Sequence, residues 1–384
     1  MIGFRSKLPE VGTTIFTIMS ALANRHNAIN LSQGFPDFDC PTRLKELVKN
    51  YMDRGLNQYA PMAGVPELIS QIGKKIQLFY GRSLDSDQEI TVTAGATQAL
   101  FTVISTLIHE GDEAIILEPA YDSYIPAVQV NGGIPRLYRL KPPAFKIEWD
   151  SFKSLINEKT KLIIINTPHN PIGRIWKASD MLTLEQIVRD HNIYVLSDEV
   201  YEHMTYDESV HESILKYPGI YEKGFAVFSF GKTFHNTGWK IGYCVARPEL
   251  TGEFRKIHQF NVFSVNTPIQ YALAEFMDEV NYKRTVTDYY QKKRDFFKLQ
   301  MEETRFLPLD CQGTYFCLFD YSQVSNLNDM DFVQRLTIEQ KVAAIPLSVF
   351  YSDHRQDCLI RFCFAKKEST LETAVTRLKS LKIK

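Results

Sequence analysis

The sequence predicts an α/β fold in which a mostly parallel sheet lies between helices and a smaller α+β unit follows. Two observations point there. From residue 90 onward, short apolar runs alternate with segments of helical period, the pattern of strand–helix–strand units. The runs are continuous, as in strands covered on both faces. Near residue 275 the style shifts to a long polar and aromatic helical stretch reaching about residue 303, and alternating strand-like pieces follow.

Taken in order, residues 15–23 form a weak apolar run, preceded by Glu10 and interrupted by Thr17 and Ser20. Those polar residues suit an amphipathic arm or helix and not a signal peptide, although Ala21-Leu22-Ala23 mimics a cleavage site. Residues 89–93 read as a strand and Ala94-Gly95-Ala96-Thr97 as the turn after it. Leu100, Val103, Ile104, Leu107 and Ile108 then share one helix face. Further buried strands are expected at 113–117, 162–165, 194–197, 226–229 and 241–245, and in the later unit at 315–320 and 359–364.

The chain has 384 residues, 44% apolar and 23% charged, an ordinary globular composition. At about 150 residues per domain, this length suits one large or two ordinary domains. It buries a core without disulfide staples. Lys and Arg number 44 against 45 Asp and Glu, a net charge of −1, so nothing draws the chain as a whole to nucleic acid or an anionic membrane. The short clusters Lys292-Lys293-Arg294 and Lys366-Lys367 read as solvated helix faces. The six cysteines (Cys40, Cys244, Cys311, Cys317, Cys358, Cys363) include no CxxC pair. Core thiols in a reducing, cytoplasmic compartment are the expectation. The nine histidines show no HExxH or paired metal spacing, so no metal is expected. No apolar run approaches the ~18 residues that span a membrane.

Several polar groups stand at the ends of apolar strands, where open α/β sheets bind ligands. Ala94-Gly95-Ala96-Thr97 opens a helix, and its small residues let a phosphate reach free N–H groups. Alone, it fits an ordinary tight strand–helix turn better. Gly231-Lys232-Thr233 resembles the tail of a phosphate-binding P-loop, but the glycine required five residues before Gly231 is Ala226, inside a strand. An ATPase reading fails there. Pyridoxal phosphate fits better. It needs a lysine for a Schiff base, a carboxylate for the pyridine nitrogen, donors for the phenolate oxygen and a phosphate cup. Asp198 ends one strand, with Tyr201 three residues on. Lys232 follows another, with Ser229 three before it and Lys240 eight after it. Asn166-Thr167-Pro168-His169-Asn170-Pro171 breaks off a third. Singly, each reads as surface charge or core, and the conjunction is what carries the chemistry.

Across essentially the whole chain the motifs resemble those of the fold-type I, class I pyridoxal-phosphate aminotransferases. They are Asn30-Leu31-Ser32-Gln33-Gly34-Phe35-Pro36-Asp37, Asn57-Gln58-Tyr59, the Asn166 to Pro171 run, Ser197-Asp198-Glu199-Val200-Tyr201, Ser229-Phe230-Gly231-Lys232-Thr233, Thr237-Gly238-Trp239-Lys240-Ile241-Gly242 and Arg361-Phe362-Cys363-Phe364. Within that class the likeness is to bacterial methionine aminotransferases and kynurenine–oxoglutarate (glutamine) transaminases. It implies a large domain over residues 46–278 with a mostly parallel seven-stranded sheet, and a small α+β domain over 279–384. Residues 1–45 would supply an N-terminal arm and part of the small domain.

The resemblance further implies Lys232 as the Schiff-base lysine and proton carrier, Asp198 as the pyridinium partner, and Tyr201 and Asn170 as donors to the phenolate oxygen. Ala96, Thr97, Ser229 and Lys240 would hold the phosphate, joined by Tyr59 from the neighbouring subunit of a homodimer. Tyr121 would stack on the ring. Arg361 would clamp the substrate carboxylate, with Gly34, Asn170, Phe16 and Phe263 of the partner subunit around the substrate. Two departures stand out: Lys240 where many relatives carry Arg, a point charge for a fork, and His169 for the first Asn of the usual Asn-Asn-Pro. Transamination between an amino acid and a 2-oxo acid is expected. Methionine, aromatic or glutamine-like donors are favoured, because the pocket segments around Phe16, residues 260–263 and Phe350-Tyr351 offer no second cation for a distal carboxylate. The alternative is a β-eliminating C–S lyase, which would use the same Lys, Asp and Arg.

Overall fold

A computed structural model describes residues 5–279 and 282–381. In chain order the strands are β1 (Ile29–Asn30), β2 (Ile90–Thr93), β3 (Glu113–Glu118), β4 (Ile134–Arg139), β5 (Thr160–Asn166), β6 (Tyr194–Asp198), β7 (Gly224–Ser229), β8 (Gly242–Val245), β9 (Leu307–Pro308), β10 (Phe316–Asp320), β11 (Val342–Ala343), β12 (Ile345–Pro346) and β13 (Leu359–Cys363). They form a seven-stranded sheet of order β2-β8-β7-β6-β5-β3-β4, a four-stranded sheet β12-β13-β10-β9 and the pair β1-β11. In the large sheet β3 to β7 are parallel. The strand expected at 241–245 is the exception: β8 runs antiparallel to both β2 and β7. Two reversals restore direction, so β2 ends on the same edge as β5, β6 and β7.

Alternate residues of one strand face opposite layers. Ile115 and Ile163 join one apolar cluster, while Ala114, Ile116, Leu162 and Ile164 join the other. The helix Ala96–Leu107 buries Ala99, Leu100, Val103, Ile104 and Leu107 in the second cluster. The helix Pro66–Tyr80 buries Leu68, Ile69, Ile72 and Ile76 in the first. Each such aliphatic side chain contributes about 1.5–3 kcal/mol by leaving water. The two-sided cover is why the central strands read as unbroken apolar runs. Strand β4 escaped sequence prediction because, unlike the buried edge strand β2, it is poorly covered. It pairs only with β3, stays half exposed, and carries Pro135, Arg136 and Arg139.

The run at 15–23 folds as the helix Ile15–Arg25, capped by the Thr14 hydroxyl. The long polar stretch near 275 becomes the helices Thr267–Glu279 and Tyr282–Met301. Beyond them β10 and β13 pair antiparallel. The early chain is stitched to this later sheet: β1 lies parallel to β11, and Cys363 N–H donates to the Leu31 carbonyl at 2.8 Å. All six cysteines are free thiols.

The basic clusters are not the solvated faces their composition suggests. Lys292 and Lys367 are exposed, but Lys293, Arg294 and Lys366 are buried. Arg294 forks onto Asp207 at 2.6 Å and reaches the Cys311 carbonyl. Lys293 donates to the Lys366 carbonyl, and Lys366 to that of Phe35. Arg294 also pairs with its neighbour Asp295, but the other partners lie far away in sequence, out of reach of local pattern.

Candidate active site

At the carboxyl ends of β5, β6 and β7 lies a cavity of about 320 Å³. Its walls include Phe16, Gly34, Ala96, Thr97, Tyr121, Asn170, Asp198, Tyr201, Ser229, Lys232, Lys240 and Arg361. Among the residues singled out from the sequence, Phe350 and Tyr351 lie outside its walls, and so do Tyr59 and Phe263. The last two pack edge-on with ring centroids 5.3 Å apart, on the surface of this chain, 82% and 53% exposed.

Lys232 sits in the short turn Phe230–Thr233 directly after β7. Its Nζ donates to Tyr315 Oη at 2.6 Å and to the Gly34 carbonyl at 3.3 Å. Burial pulls its pKa down to about 8, with Arg361 and Lys240 adding to the effect and Cys363 and Asp198 opposing it. A buried ammonium loses hydration and releases its proton more readily.

Asp198 closes β6. Its Oδ2 accepts from Tyr124 Oη at 2.6 Å, and its Oδ1 from Val200 N–H at 3.3 Å. Burial raises its pKa to about 6, against the lowering effect of those donors. Asn166, ending β5, ties the neighbouring pieces together: its Nδ2 donates to the Asp198 carbonyl at 2.8 Å, and its Oδ1 accepts the Asn170 N–H at 2.7 Å. Burial likewise drives the Tyr201 phenol far above its ordinary range, so it remains a donor.

A third wall is built for an anion. Gly95, just ahead of the helix Ala96–Leu107, has φ +78, a left-handed turn that suits glycine. No side chain caps this helix, leaving its first N–H groups to whatever enters. Lys240 leans in so closely that a Cβ on Gly95 would lie 3.5 Å from its Nζ.

Arg361 projects from β13 and is fully buried. Its Nη1 donates to Asn170 Oδ1 at 2.7 Å and its Nη2 to the Ser32 carbonyl at 3.1 Å, while Nε has no partner. The guanidinium lies 3.8 Å from the Phe316 ring centre, with Phe350 and Phe16 at 5.2 and 5.4 Å. Burial brings its pKa down to about 10. Tyr124, Tyr315 and Phe316 were missed in the sequence. Tyr124 stands three residues, one helical turn, past Tyr121, a spacing that signals a shared face. The other two sit in an apolar run that reads as core.

A family model described as aminotransferase class I and II matches residues 26–378. The chain belongs to this family. This aminotransferase is 51% identical to the methionine aminotransferase of Escherichia coli (strain K12), over 98% of each chain. It is 34% identical to the kynurenine–oxoglutarate transaminase of Dictyostelium discoideum, over 97% of this chain and 94% of that one. Among solved structures it matches an Escherichia coli protein with a methionine aminotransferase function, with a TM-score of 0.97 and 51% identity over 99% of this chain and 100% of that one. The chain is an enzyme of amino-acid transamination, and these relatives lend no support to the β-elimination alternative.

Proposed function

We propose that this aminotransferase exchanges the amino group of methionine, or of an aromatic or glutamine-like amino acid, with a 2-oxo acid, using pyridoxal 5′-phosphate in a cytoplasmic homodimer with shared sites. The observation that carries it is Arg361: a buried guanidinium with an unpartnered Nε, enclosed by Phe16, Phe316 and Phe350 and facing a cavity that Lys232 and Asp198 also line. Apart from Lys232, Lys240 and Arg361, no cation lines that cavity among the described residues.

The donor set fits the cofactor. The uncapped turn at Ala96 and Thr97, with Ser229 and Lys240, suits a phosphate, and Asp198 suits a ring N–H. Asn170 and Tyr201 suit a phenolate oxygen, and Tyr121 a ring face. When bound, the cofactor supplies an aldehyde that takes up the amino group and a ring that accepts the electron pair released at the substrate Cα. The chain's residues do the rest. Lys232 would hold the cofactor covalently, and its Nζ, once freed, would carry the proton taken from the substrate Cα. Asp198 keeps the ring nitrogen protonated by charge, and Arg361 orients the α-carboxylate with a planar fork. The surrounding rings exclude water and accept a thioether or an aromatic side chain. A distal carboxylate buried there would lack a counter-ion.

What supports the homodimer is the exposed aromatic pair Tyr59 and Phe263, with Phe260 nearby in sequence and 87% exposed. Isolated chains seldom leave such groups to water. The test of substrate class is a side-by-side assay of amino donors against several 2-oxo acids. Methionine and aromatic donors should lead aspartate in kcat/KM, and aspartate matching methionine would overturn the pocket assignment.

A further inference from the structure

Tyr315 has no part in the reading above, yet it is the residue most directly engaged with the reactive amine. It lies just before β10 and is fully buried. Its hydroxyl donates to the Gly34 carbonyl, and its oxygen accepts from Lys232 Nζ at 2.6 Å. Lys232 Nζ reaches the same carbonyl at 3.3 Å. A phenol has one proton to give, and here it is committed to Gly34, so toward Lys232 the oxygen acts as an acceptor. Burial drives the Tyr315 phenol well above its ordinary range, which keeps that proton in place.

A neutral lysine amine has two N–H bonds and one lone pair. With both N–H bonds directed at Tyr315 Oη and the Gly34 carbonyl, and the Cε bond fixed, the remaining tetrahedral position is the lone pair. Lys232 lines the cavity, where a substrate Cα would lie. We propose that Tyr315 is a positioning residue for proton transfer: it holds the Lys232 amine, once freed, with its lone pair turned toward the substrate. This rests on the assignment of Lys232 as the proton carrier. The step is balanced. The Cα–H electron pair passes to the cofactor ring, the proton makes the amine an ammonium, and the same proton is then given up to the aldehyde-derived carbon. Tyr315 itself exchanges no proton. The other groups facing the amine are Asp198 at the end of β6, Lys240, Tyr201, and Arg361 and Cys363 on β13.

Tyr315→Phe removes only the hydroxyl. With Cα-deuterated methionine as donor, kcat should fall about tenfold or more, the loss expected when one hydrogen bond to a charged group is deleted. KM should change little, and the isotope effect should rise as proton transfer becomes slower. In the cofactor-free protein, 15N NMR of lysine should show Lys232 titrating at lower pH, because an acceptor for its ammonium form is gone. Tyr290→Phe controls for packing. It deletes a hydroxyl bound to His235, from a ring 5.8 Å from that of Tyr315, and should leave both readouts unchanged. The proposal is overturned if Tyr315→Phe leaves either the isotope effect or the Lys232 titration unchanged, or if Tyr290→Phe moves both equally. Lys232→Ala, run alongside, keeps the two readings apart. Turnover surviving there overturns the role of Lys232 and of Tyr315 together. Turnover lost there, with Tyr315→Phe unaltered, overturns Tyr315 alone.

Discussion

Lys232 and Asp198 depart from ordinary titration in opposite directions, and the proposed reaction would use both. Burial alone would neutralise both. For Lys232 the outcome is an amine half-deprotonated at about pH 8 in the cofactor-free chain. Capture of pyridoxal phosphate needs the unprotonated amine. The capture rate should therefore climb as pH rises toward 8 and level off above it, read as absorbance of the bound cofactor. A midpoint near the ordinary lysine value of 10.5 would contradict the burial argument. Asp198, whose carboxyl titrates at about 6, is ionised at neutral pH and in the proposed reaction would supply charge, not proton transfer. Asp198→Asn keeps the shape but not the charge. Breaking a buried pair costs about 3–5 kcal/mol, and at about 1.4 kcal/mol per tenfold the expected loss in kcat is about 10² to 10³. A change under about threefold would remove Asp198 from this role.

Between elements, the segment after β6 is pinned from behind by a buried ion pair. Lys75, in the helix Pro66–Tyr80, pairs with Glu202 and donates to Tyr243 Oη at 2.6 Å. Tyr80 donates to the same carboxylate. Glu202 is the neighbour of Tyr201, so this helix braces the floor of the cavity. Lys75→Met strands a buried carboxylate and should destabilise the protein by about 3–5 kcal/mol in urea unfolding. Adding Glu202→Gln should recover much of that loss, and a double variant no better than the single would show the two residues uncoupled. What was legible in the sequence follows the same division. Asp198, Lys232 and Asn170 stood out because each is polar at the end of an apolar run, a contrast that a linear reading registers. Tyr315 and Phe316 did not, since aromatic residues beside an apolar strand read the same whether they fill a core or face an amine. Arg294 misled because, besides the adjacent Asp295, it pairs with Asp207, 87 residues away. Strand β4 was silent because a half-exposed strand needs no continuous apolar run.

For the whole molecule, the exposed Tyr59 and Phe263 carry a prediction that one chain cannot satisfy. If Tyr59 completes the phosphate cup of a second copy, mixing Tyr59→Ala with Lys232→Ala protein makes hybrid dimers. One of their sites carries both defects and the other neither. Each parent should be weak and the mixture should regain activity. Subunit exchange proven by mass spectrometry, with no recovery of activity, would rule out the shared site. The bond from Arg361 to the Ser32 carbonyl spans 329 positions, and it has a bearing on how the enzyme is made. The last strand of the large sheet, β8, ends at Val245, and β13 begins at Leu359. A ribosome therefore releases the lysine and its carboxylate partner well before it has translated the arginine. Throughout that interval the emerging chain carries Lys232 and Asp198 and lacks the arginine that the proposed function assigns to the substrate carboxylate.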